Sequence, residues 1–353
     1  MRNNKFLKEF NFLKSNGIFF SDSKYLIVAR YNGVYLFDKN TKKLIIQGHV
    51  KIPWYDNLFK YFRFYQRLRR LIFYNIIPIG NNRFFLSFSN KIGYLDENGE
   101  FISIINKSRS FKILNNGLSV DGDYIYYGEY FSNNKRDKKV NIYRFSKKTF
   151  ENKIVYSFPH KSIRHVHGLY RDPFTKYFYI LTGDLPNECG IYISKDKFKS
   201  VQLIGGGDES WRAVSLVFTE KFIYYGTDSE FISNHVYSFN KKNFSRKKIG
   251  RISGPVYYSV LYNNTPLFFI TAEMCPSQND KFFKIIEYKN DILNTRLKVL
   301  KDYNLGNKIT KIFSRFFMPG NMHLSFHNDK NIDELYVYGI GLKNFDDKVY
   351  ELN

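Results

Sequence analysis

A short phrase in which an aromatic-rich strand leads into a small residue and then a carboxylate recurs four times in this chain. The four copies span 124–129, 178–184, 222–228 and 267–273. Their acids lie 55, 44 and 45 positions apart. Repeats of about 40–50 residues that hold several short strands are typical of β-propeller blades. We therefore expect the acids Glu129, Asp184, Asp228 and Glu273 to be brought around one axis.

Strand and turn signals divide the whole chain into seven blade-like segments, with six as the alternative. A high content of Tyr (29) and Phe (36) agrees with strands, which favour aromatic side chains. A strand-like stretch near Phe10–Leu13 would complete the last blade and close the ring, leaving no free sheet edge. We expect one all-β domain over 1–353, a single β-propeller, with blades at 15–50, 74–110, 113–158, 163–205, 211–251, 254–303 and 314–353.

The segment 51–73 interrupts the strand rhythm and is predicted to be one inserted basic amphipathic helix. At about 100° per residue, one face is apolar, and Lys60, Arg63, Arg67 and Arg70 share the opposite face. Helices of this composition lie in anionic membrane interfaces. The alternative is a helix that packs on the sheets with its basic side in water. The expected apolar face consists of Leu58, Tyr61, Phe62, Tyr65, Leu68 and Ile72.

The formal charge of +23 indicates an anionic partner such as an acidic glycan or a membrane surface. An AT-rich genome would also enrich Lys, Asn, Ile, Phe and Tyr together. No recognised nucleic-acid-binding motif accompanies the charge, so nucleic acid is disfavoured as a partner. Two cysteines cannot form a disulfide framework. The first residues lack the apolar run of a signal peptide, so we expect a cytoplasmic protein. A peripheral position on the inner face of the membrane is the alternative.

Two series of polar residues are predicted to meet at one mouth of the propeller. In a blade the first two strands are antiparallel, so the loop that enters the first strand and the loop that leaves the second open on the same side. The entering loops hold Arg164, His165, His167, Trp211 and Arg212. The leaving loops and the positions just after them hold Glu129, Asp184, Asp228, Glu230, His235 and Glu273.

These residue types are suited to binding a carbohydrate and to catalysing a reaction on it. Carboxylate pairs serve as acid and base or nucleophile in glycosyl transfer, and we assign Asp184, Asp228 and Glu273 that role, with His165 as an alternative base. The expected substrate contacts include guanidinium groups for an anion and an indole for a sugar ring. They are Arg164, His167, Trp211, Arg212, Glu129, Glu230 and His235.

No cofactor is expected, with a divalent metal as the alternative. His165 and His167 are two apart, and His323 and His327 are four apart, so each pair would share one side of a strand. A purely structural use of the acid ring is also open. Carboxylates after strands can accept backbone N–H bonds or pair with arginine and so tie neighbouring blades together.

The stretch Ile193–Phe198 resembles an Asp-box, the hairpin signature of BNR-type propellers such as sialidases. Ser194 and Asp196 match the pattern, whereas Phe198 replaces its glycine. The run from Arg164 to about Phe326 is similar to propeller proteins of bacterial surface-polysaccharide gene clusters. The phrases that carry this likeness are Arg164–Gly168, Thr182–Asp184, Arg212–Val214, Gly226–Asp228, Asn234–His235 and Pro276–Asp280.

This resemblance implies a glycan context without naming a reaction. Sialidases use three arginines and a Tyr–Glu pair, and only Arg164 and Arg212 can be assigned here to mouth loops. Our first hypothesis is an enzyme of surface-polysaccharide biosynthesis that acts on a glycan, glycolipid or sugar nucleotide, by glycosyl transfer or another modification. The second is a lyase or glycoside hydrolase of an acidic polysaccharide. The third is a non-catalytic propeller that binds a glycan or protein.

Overall fold

Seven antiparallel sheets of four strands each make up the described part of the chain. This number confirms an all-β chain with seven blades rather than six. The computed structural model describes residues 6–9, 17–105, 110–273, 275–278, 280–302, 318–326 and 334–353.

The chain divides into two compact units, one of residues 1–116, 301–327 and 334–353, the other chiefly of residues 117–300. The first unit holds three sheets and the second holds four. That 1–353 is a single domain stays a prediction.

The first unit contains two sheets that are continuous in sequence and one that combines both ends of the chain. The first sheet is β2–β5, at Gly17–Ser21, Tyr25–Arg30, Gly33–Asp38 and Leu44–His49. The second is β6–β9, at Phe73–Gly80, Arg83–Phe88, Lys91–Leu95 and Phe101–Ser103. The third takes the order β1-β28-β27-β26, from Leu7–Glu9, Val349–Leu352, Tyr336–Ile340 and Asn321–Leu324.

The N-terminal strand β1 therefore completes the last sheet, as predicted. It pairs antiparallel with β28, with Leu7 opposite Leu352. It lies at Leu7–Glu9, whereas the stretch Phe10–Leu13 named from the sequence falls outside the described residues. One apolar cluster fills the unit, drawn from β2–β4, β6–β8, β27 and β28.

The second unit contains four sheets, each continuous in sequence. The first of them is β10–β13, at Leu118–Asp121, Tyr124–Gly128, Val140–Ser146 and Asn152–Phe158. The next is β14–β17, at Val166–Arg171, Phe178–Thr182, Gly190–Ser194 and Gln202–Gly206. It is followed by β18–β21, at Val217–Phe218, Phe222–Gly226, His235–Asn240 and Arg246–Arg251. The last is β22–β25, at Val256–Tyr262, Thr265–Ile270, Phe282–Lys289 and Ile292–Leu300. Two single-turn 3₁₀ helices occur as well, at Pro186–Glu188 and Glu209–Trp211.

The four copies of the repeated phrase all form the second strand of their sheet. They are β11, β15, β19 and β23. Their side chains are mostly buried, as in β15, where every residue is buried. Strands covered on both faces read as continuous apolar runs, which explains why this phrase is the clearest repeat in the sequence.

The turn between β16 and β17 is held by the two residues that match an Asp-box. Ser194 Oγ accepts a hydrogen bond from the Phe198 N–H at 2.8 Å. Asp196 Oδ1 accepts from the Ser200 N–H at 2.9 Å, and Ser194 Oγ donates to Asp196 at 3.1 Å. The two side chains therefore close a tight hairpin locally.

The inserted segment 51–73 differs from its prediction. It forms two short helices, α1 at Trp54–Phe59 and α2 at Arg63–Arg69, instead of one. None of the helices in the described ranges could span a lipid bilayer.

The basic residues of the insert do not form the expected solvated face. Arg63 binds Asp346 through two hydrogen bonds, at 2.9 and 3.0 Å. Arg67 is buried and binds Asp302 at 2.7 and 3.2 Å. Lys60 is half-buried, and Arg70 caps α2 in a left-handed conformation. The prediction failed because carboxylates far away in sequence draw Arg63 and Arg67 into the unit.

The buried Arg67–Asp302 pair gives a testable stability difference. We expect Arg67→Ala to lower the free energy of unfolding by about 3–5 kcal/mol, because Asp302 would keep its largely buried charge without a partner. The matched control is Arg83→Ala, whose partner Glu97 is exposed and whose loss should cost less than about 1 kcal/mol. Urea unfolding followed by circular dichroism measures both. Equal losses in the two variants would contradict this account of the insert.

Candidate functional site

Asp184 follows β15 at a turn that requires glycine. Gly183 has a φ of +124°, and a Cβ there would lie 2.5 Å from the Cys189 Cα. A larger residue would both strain the backbone and clash with it. The turn therefore fixes the position of Asp184 relative to the end of β15.

The Asp184 carboxylate contacts four basic side chains from two neighbouring sheets. Arg164 Nη1 lies 2.5 Å from Oδ2, and Arg212 Nη2 lies 3.3 Å from Oδ1. His165 Nε2 lies 3.4 Å from Oδ2, and His167 Nε2 lies 3.3 Å from Oδ1. Burial raises the pKa of Asp184, but the neighbouring histidines outweigh it and hold that pKa well below its usual range. Asp184 is therefore a carboxylate at neutral pH.

The two histidines face each other through their Nε2 atoms, which are 3.1 Å apart. Their Nδ1 atoms lie against backbone carbonyl oxygens, of Phe131 at 3.0 Å for His165 and of Ala213 at 3.3 Å for His167. A carbonyl only accepts, so each Nδ1 carries a proton and donates it to that oxygen. Burial lowers the pKa of His167 to about 4. The two Nε2 atoms and the Asp184 carboxylate thus meet at one place, where a proton can be held between them.

A β-bulge sets the position of His167. The pairing of β14 with β15 shifts register between Val166 and Gly168, so His167 is the extra residue. Bulges re-aim side chains and are common beside active sites. The same shift between Val256 and Tyr258 makes Tyr257 the extra residue of β22. The sequence placed His165 and His167 on one side of a regular strand, and the bulge brings their rings together instead.

Arg212 links Asp184 to a second acid, Asp228. Arg212 Nε lies 3.3 Å from Asp228 Oδ2, and Asp228 is nearly buried. Burial raises the pKa of Asp228 well above its ordinary value, and the charge of nearby Glu273 raises it further, while Arg212 opposes both. The Glu273 N–H donates to Gln278 Oε1 at 2.7 Å. The cluster thus contains a carboxylate, Asp184, and an acid that tends to hold its proton, Asp228.

The cluster also contains two tyrosines, Tyr130 and Tyr257, which were not predicted from the sequence. Tyr130 packs on the His165 ring with centroids 4.0 Å apart. Burial raises the pKa of Tyr130, and the charges of Asp184 and Asp228 add to the effect. Burial likewise raises the pKa of Tyr257, with Glu273 as its hydrogen-bond partner. Their positions in the sequence could have identified them, since Tyr130 directly follows Glu129 and Tyr257 is the second residue of β22.

The remaining members of the predicted mouth lie elsewhere in the second unit. Glu129 is fully buried and accepts hydrogen bonds from the Asn141 N–H at 2.8 Å and the Tyr143 hydroxyl at 2.9 Å. Trp211 is roughly parallel to the Tyr225 ring, with centroids 6.5 Å apart, and the Arg246 guanidinium lies 3.9 Å from the indole centroid.

Two further predicted residues lie outside the contacts of Asp184. Glu230 is exposed and accepts from the Ser277 N–H through its backbone carbonyl. His235 begins β20, where its ring contacts Ser233 and Tyr237. Their predicted roles, with those of Glu129 and Trp211, stay predictions.

Three side chains of the cluster could hold a metal ion. His165, His167 and Asp184 offer one donor atom each, all within 4.8 Å of one another. Imidazole and carboxylate donors suit divalent transition metals, although Arg164 and Arg212 already place two positive charges on the same carboxylate. Of the other predicted pair, His323 is buried against Tyr338 in the first unit, and His327 falls outside the described residues.

Comparison with known proteins identifies the fold. No family model and no curated protein matches this chain. Among solved structures, an oligogalacturonate lyase from Vibrio parahaemolyticus has a TM-score of 0.56 at 11% identity, over 99% of this chain and 91% of the lyase. The extracellular domain of a hybrid two-component system from B. thetaiotaomicron also has a TM-score of 0.56 at 11% identity.

A third similar structure is the dihydro-heme d1 dehydrogenase NirN, with a TM-score of 0.50 at 12% identity, over 91% of this chain. The chain spans 39% of the two-component system structure and 62% of the NirN structure. At such identities the likeness speaks for the fold alone. Together with the seven four-stranded sheets, it shows that this chain has the fold of a seven-bladed β-propeller.

Proposed function

We propose that this chain is a carbohydrate-active enzyme that cleaves an acidic glycan by β-elimination at the Asp184 cluster. The observation that carries the proposal is the meeting of two imidazole Nε2 atoms with two guanidinium groups around one carboxylate. Elimination next to a uronate carboxyl group needs a cation for that carboxyl group and a base for the neighbouring carbon-bound proton. Both kinds of group are present here.

Arg164 and Arg212 are the groups that would bind the uronate carboxylate. Arg164 Nε is buried and forms no hydrogen bond within the described residues, whereas Arg212 Nε lies 3.3 Å from Asp228 Oδ2. Arg164 is also the more exposed of the two, with 30% of its side chain accessible. A guanidinium donates to a carboxylate in a fixed fork, so a substrate carboxylate would bind the accessible part of the Arg164 guanidinium.

The His165–His167 pair is the proposed base. A proton taken up by the pair would be shared in a hydrogen bond between the two Nε2 atoms, and Asp184 would stabilise its charge. The histidines are buried, whereas 16% of the Asp184 side chain is exposed, so the substrate proton would reach the pair from the side on which Asp184 lies. As the carbon loses that proton, its electron pair forms a carbon–carbon double bond and the glycosidic carbon–oxygen bond breaks. The leaving oxygen takes a proton, for which protonated Asp228 is the candidate donor.

Two likenesses support a carbohydrate substrate. One of the similar solved structures is an oligogalacturonate lyase, which acts on an anionic sugar chain. The resemblance of the Arg164–Phe326 run to propellers of surface-polysaccharide gene clusters points the same way. We propose the BNR-like relationship and a place in surface-polysaccharide metabolism on that resemblance.

Glycosyl transfer or hydrolysis through Asp228 and Glu273 is the second candidate. Its supporting observation is the raised pKa of Asp228 beside Glu273. In this mechanism Asp228 is the protonated acid and Glu273 is the carboxylate of the pair. Only β-elimination creates a double bond in the product, so the product itself separates the two reactions.

A lyase assay tests the first proposal. We expect wild-type protein to form an ultraviolet-absorbing unsaturated product from one member of a panel of uronate glycans that includes oligogalacturonate. Arg164→Ala should reduce kcat/KM by about 100-fold or more, as the loss of a group that stabilises developing charge does. Arg251→Ala removes an exposed arginine at the end of β21 and is the matched control.

Two outcomes would overturn β-elimination. New reducing ends without ultraviolet absorbance would indicate hydrolysis and move the assignment to Asp228 and Glu273. Unchanged turnover in both Arg164→Ala and His165→Gln would exclude the cluster as the site of reaction.

A metal on His165, His167 and Asp184 would use the same lone pairs as the proposed base, so the two uses exclude each other. We expect Zn²⁺, Mn²⁺ and Co²⁺ to leave the Tm of wild type and of a His165→Ala/His167→Ala variant equally unchanged. A bound metal at a hundred times its Kd would add about 2.7 kcal/mol. A metal-dependent rise in wild-type Tm that the double variant loses, and that His160→Ala keeps, would establish a metal site and remove the base assignment.

A further inference from the structure

Exposed apolar side chains concentrate in the insert of the first unit. Of the 17 large hydrophobic residues that are exposed in the described part of the chain, seven lie between positions 54 and 64. Exposed apolar patches of this kind mark interaction sites, whereas single exposed residues do not. The exposed fractions are 78% for Trp54, 39% for Tyr55, 58% for Leu58, 43% for Phe59, 62% for Tyr61, 61% for Phe62 and 58% for Phe64. We call these seven residues the aromatic patch.

Polar side chains hold the aromatic patch facing outward. Asp56 of α1 is buried and accepts hydrogen bonds from the Tyr65 hydroxyl at 2.6 Å and from Arg69 Nε at 2.9 Å, both in α2. Gln66 and Arg67 are buried as well. The usual arrangement, with apolar residues inside and polar residues outside, is thus inverted in this insert. Ion pairs stabilise this inverted arrangement, so the exposure of the apolar side chains is a defined part of the structure.

A cationic cavity adjoins the aromatic patch. It has a volume of about 270 Å³ and is lined by Arg30, Tyr31, Asn32, Tyr35, His49, Lys60 and Tyr61. Lys60 and Tyr61 lie between α1 and α2, so the cavity and the patch share a border.

The positive charges of the cavity have neutral neighbours. Arg30 donates to the Tyr31 hydroxyl at 3.2 Å, and Lys60 Nζ donates to Asn32 Oδ1 at 3.0 Å. The lining contains no carboxylate, and within the described residues neither Arg30 nor Lys60 forms an ion pair with one. The cavity therefore fits an anion.

We propose that the aromatic patch and the cationic cavity together bind an anionic lipid bilayer. Trp and Tyr side chains favour the headgroup level of a membrane, where the ring is in apolar surroundings and its polar atom stays hydrated. A phosphate-bearing headgroup has the charge that Arg30 and Lys60 would bind. The overall charge of +23 adds long-range attraction to such a surface.

This proposal differs from the one made on the sequence. There, Arg63 and Arg67 would have met the membrane, but both are engaged with acids of their own unit. Here the aromatic rings insert and Lys60 with Arg30 binds the headgroup. The inference is independent of the proposed enzymatic function, because its residues lie in the first unit and its test measures no turnover.

Vesicle flotation tests the proposal. We expect full-length protein to float with vesicles of equal parts phosphatidylcholine and phosphatidylglycerol, and to float much less with phosphatidylcholine alone. Binding should weaken as salt is raised, because screening shortens the reach of exposed charges. Trp54 is one of two tryptophans, and its fluorescence should shift to shorter wavelength on binding in wild type and show no shift in Trp54→Phe.

Matched variants separate the patch from the cavity. Trp54→Ala/Phe62→Ala should weaken binding by at least about tenfold, since each aromatic ring carries a large apolar surface. Ile154→Ala/Leu203→Ala removes two exposed hydrophobic residues elsewhere and should bind as wild type does. Arg30→Gln/Lys60→Gln should reduce the preference for phosphatidylglycerol more than the loss of two exposed lysines elsewhere does. All six positions are at least partly exposed, and circular dichroism checks that each variant folds.

Three results would overturn the proposal. The first is wild-type protein that stays unbound at low salt. The second is binding that the Trp54→Ala/Phe62→Ala variant retains in full. The third is concentration-dependent self-association, seen by sedimentation and abolished by the same variant, which would show that a second copy of the chain covers the patch.

Discussion

Antiparallel pairing with short turns means that the loop entering the first strand of a sheet and the loop leaving its second strand lie at the same end of that sheet. In the second unit this constraint brings His165 and His167, at the start of β14, next to Asp184, at the end of β15. The neighbouring sheet supplies Arg212 before β18 and Asp228 after β19 in the same way. The cluster is thus a consequence of sheet topology, and it would form wherever such residues occupy these loops.

Equivalent positions in the repeat nevertheless have different chemical environments. Glu129 accepts two hydrogen bonds from its own sheet and is fully buried, as expected of a structural acid. Asp184 is surrounded by basic groups and stays charged, whereas burial and Glu273 favour the protonated form of Asp228. The repeat therefore supplies carboxylates, and their neighbours decide which one is a charge centre and which one an acid. This division is what makes proton transfer a reasonable function for the site.

In the insert, unlike in the Asp184 cluster, the sequence pattern did not predict which side chains are exposed. The insert forms two short helices instead of one, and ion pairs with Asp346 and Asp302 draw Arg63 and Arg67 inward while seven apolar side chains stay exposed. A buried arginine with a bound carboxylate is tolerated, whereas a buried arginine without one is not. Once those acids are in place, the aromatic residues must find another partner, and a membrane surface is the partner we propose.

The sequence alone predicted seven blades, with six as the alternative, and their approximate limits, because alternating turns and buried strands leave a periodic signal that does not depend on distant contacts. It also located the loops that hold Arg164, His165, His167, Asp184, Arg212 and Asp228, since strand order decides which loops meet. Only the tertiary structure decided which acid is paired, how a bulge turns His167 toward His165, and which face of the insert meets the solvent. Arg63 and Asp346 are 283 positions apart, and Arg67 and Asp302 are 235 apart. Local patterns carry no information on pairings of that range, because the free energy that decides them arises only when the folded chain brings the two charges together.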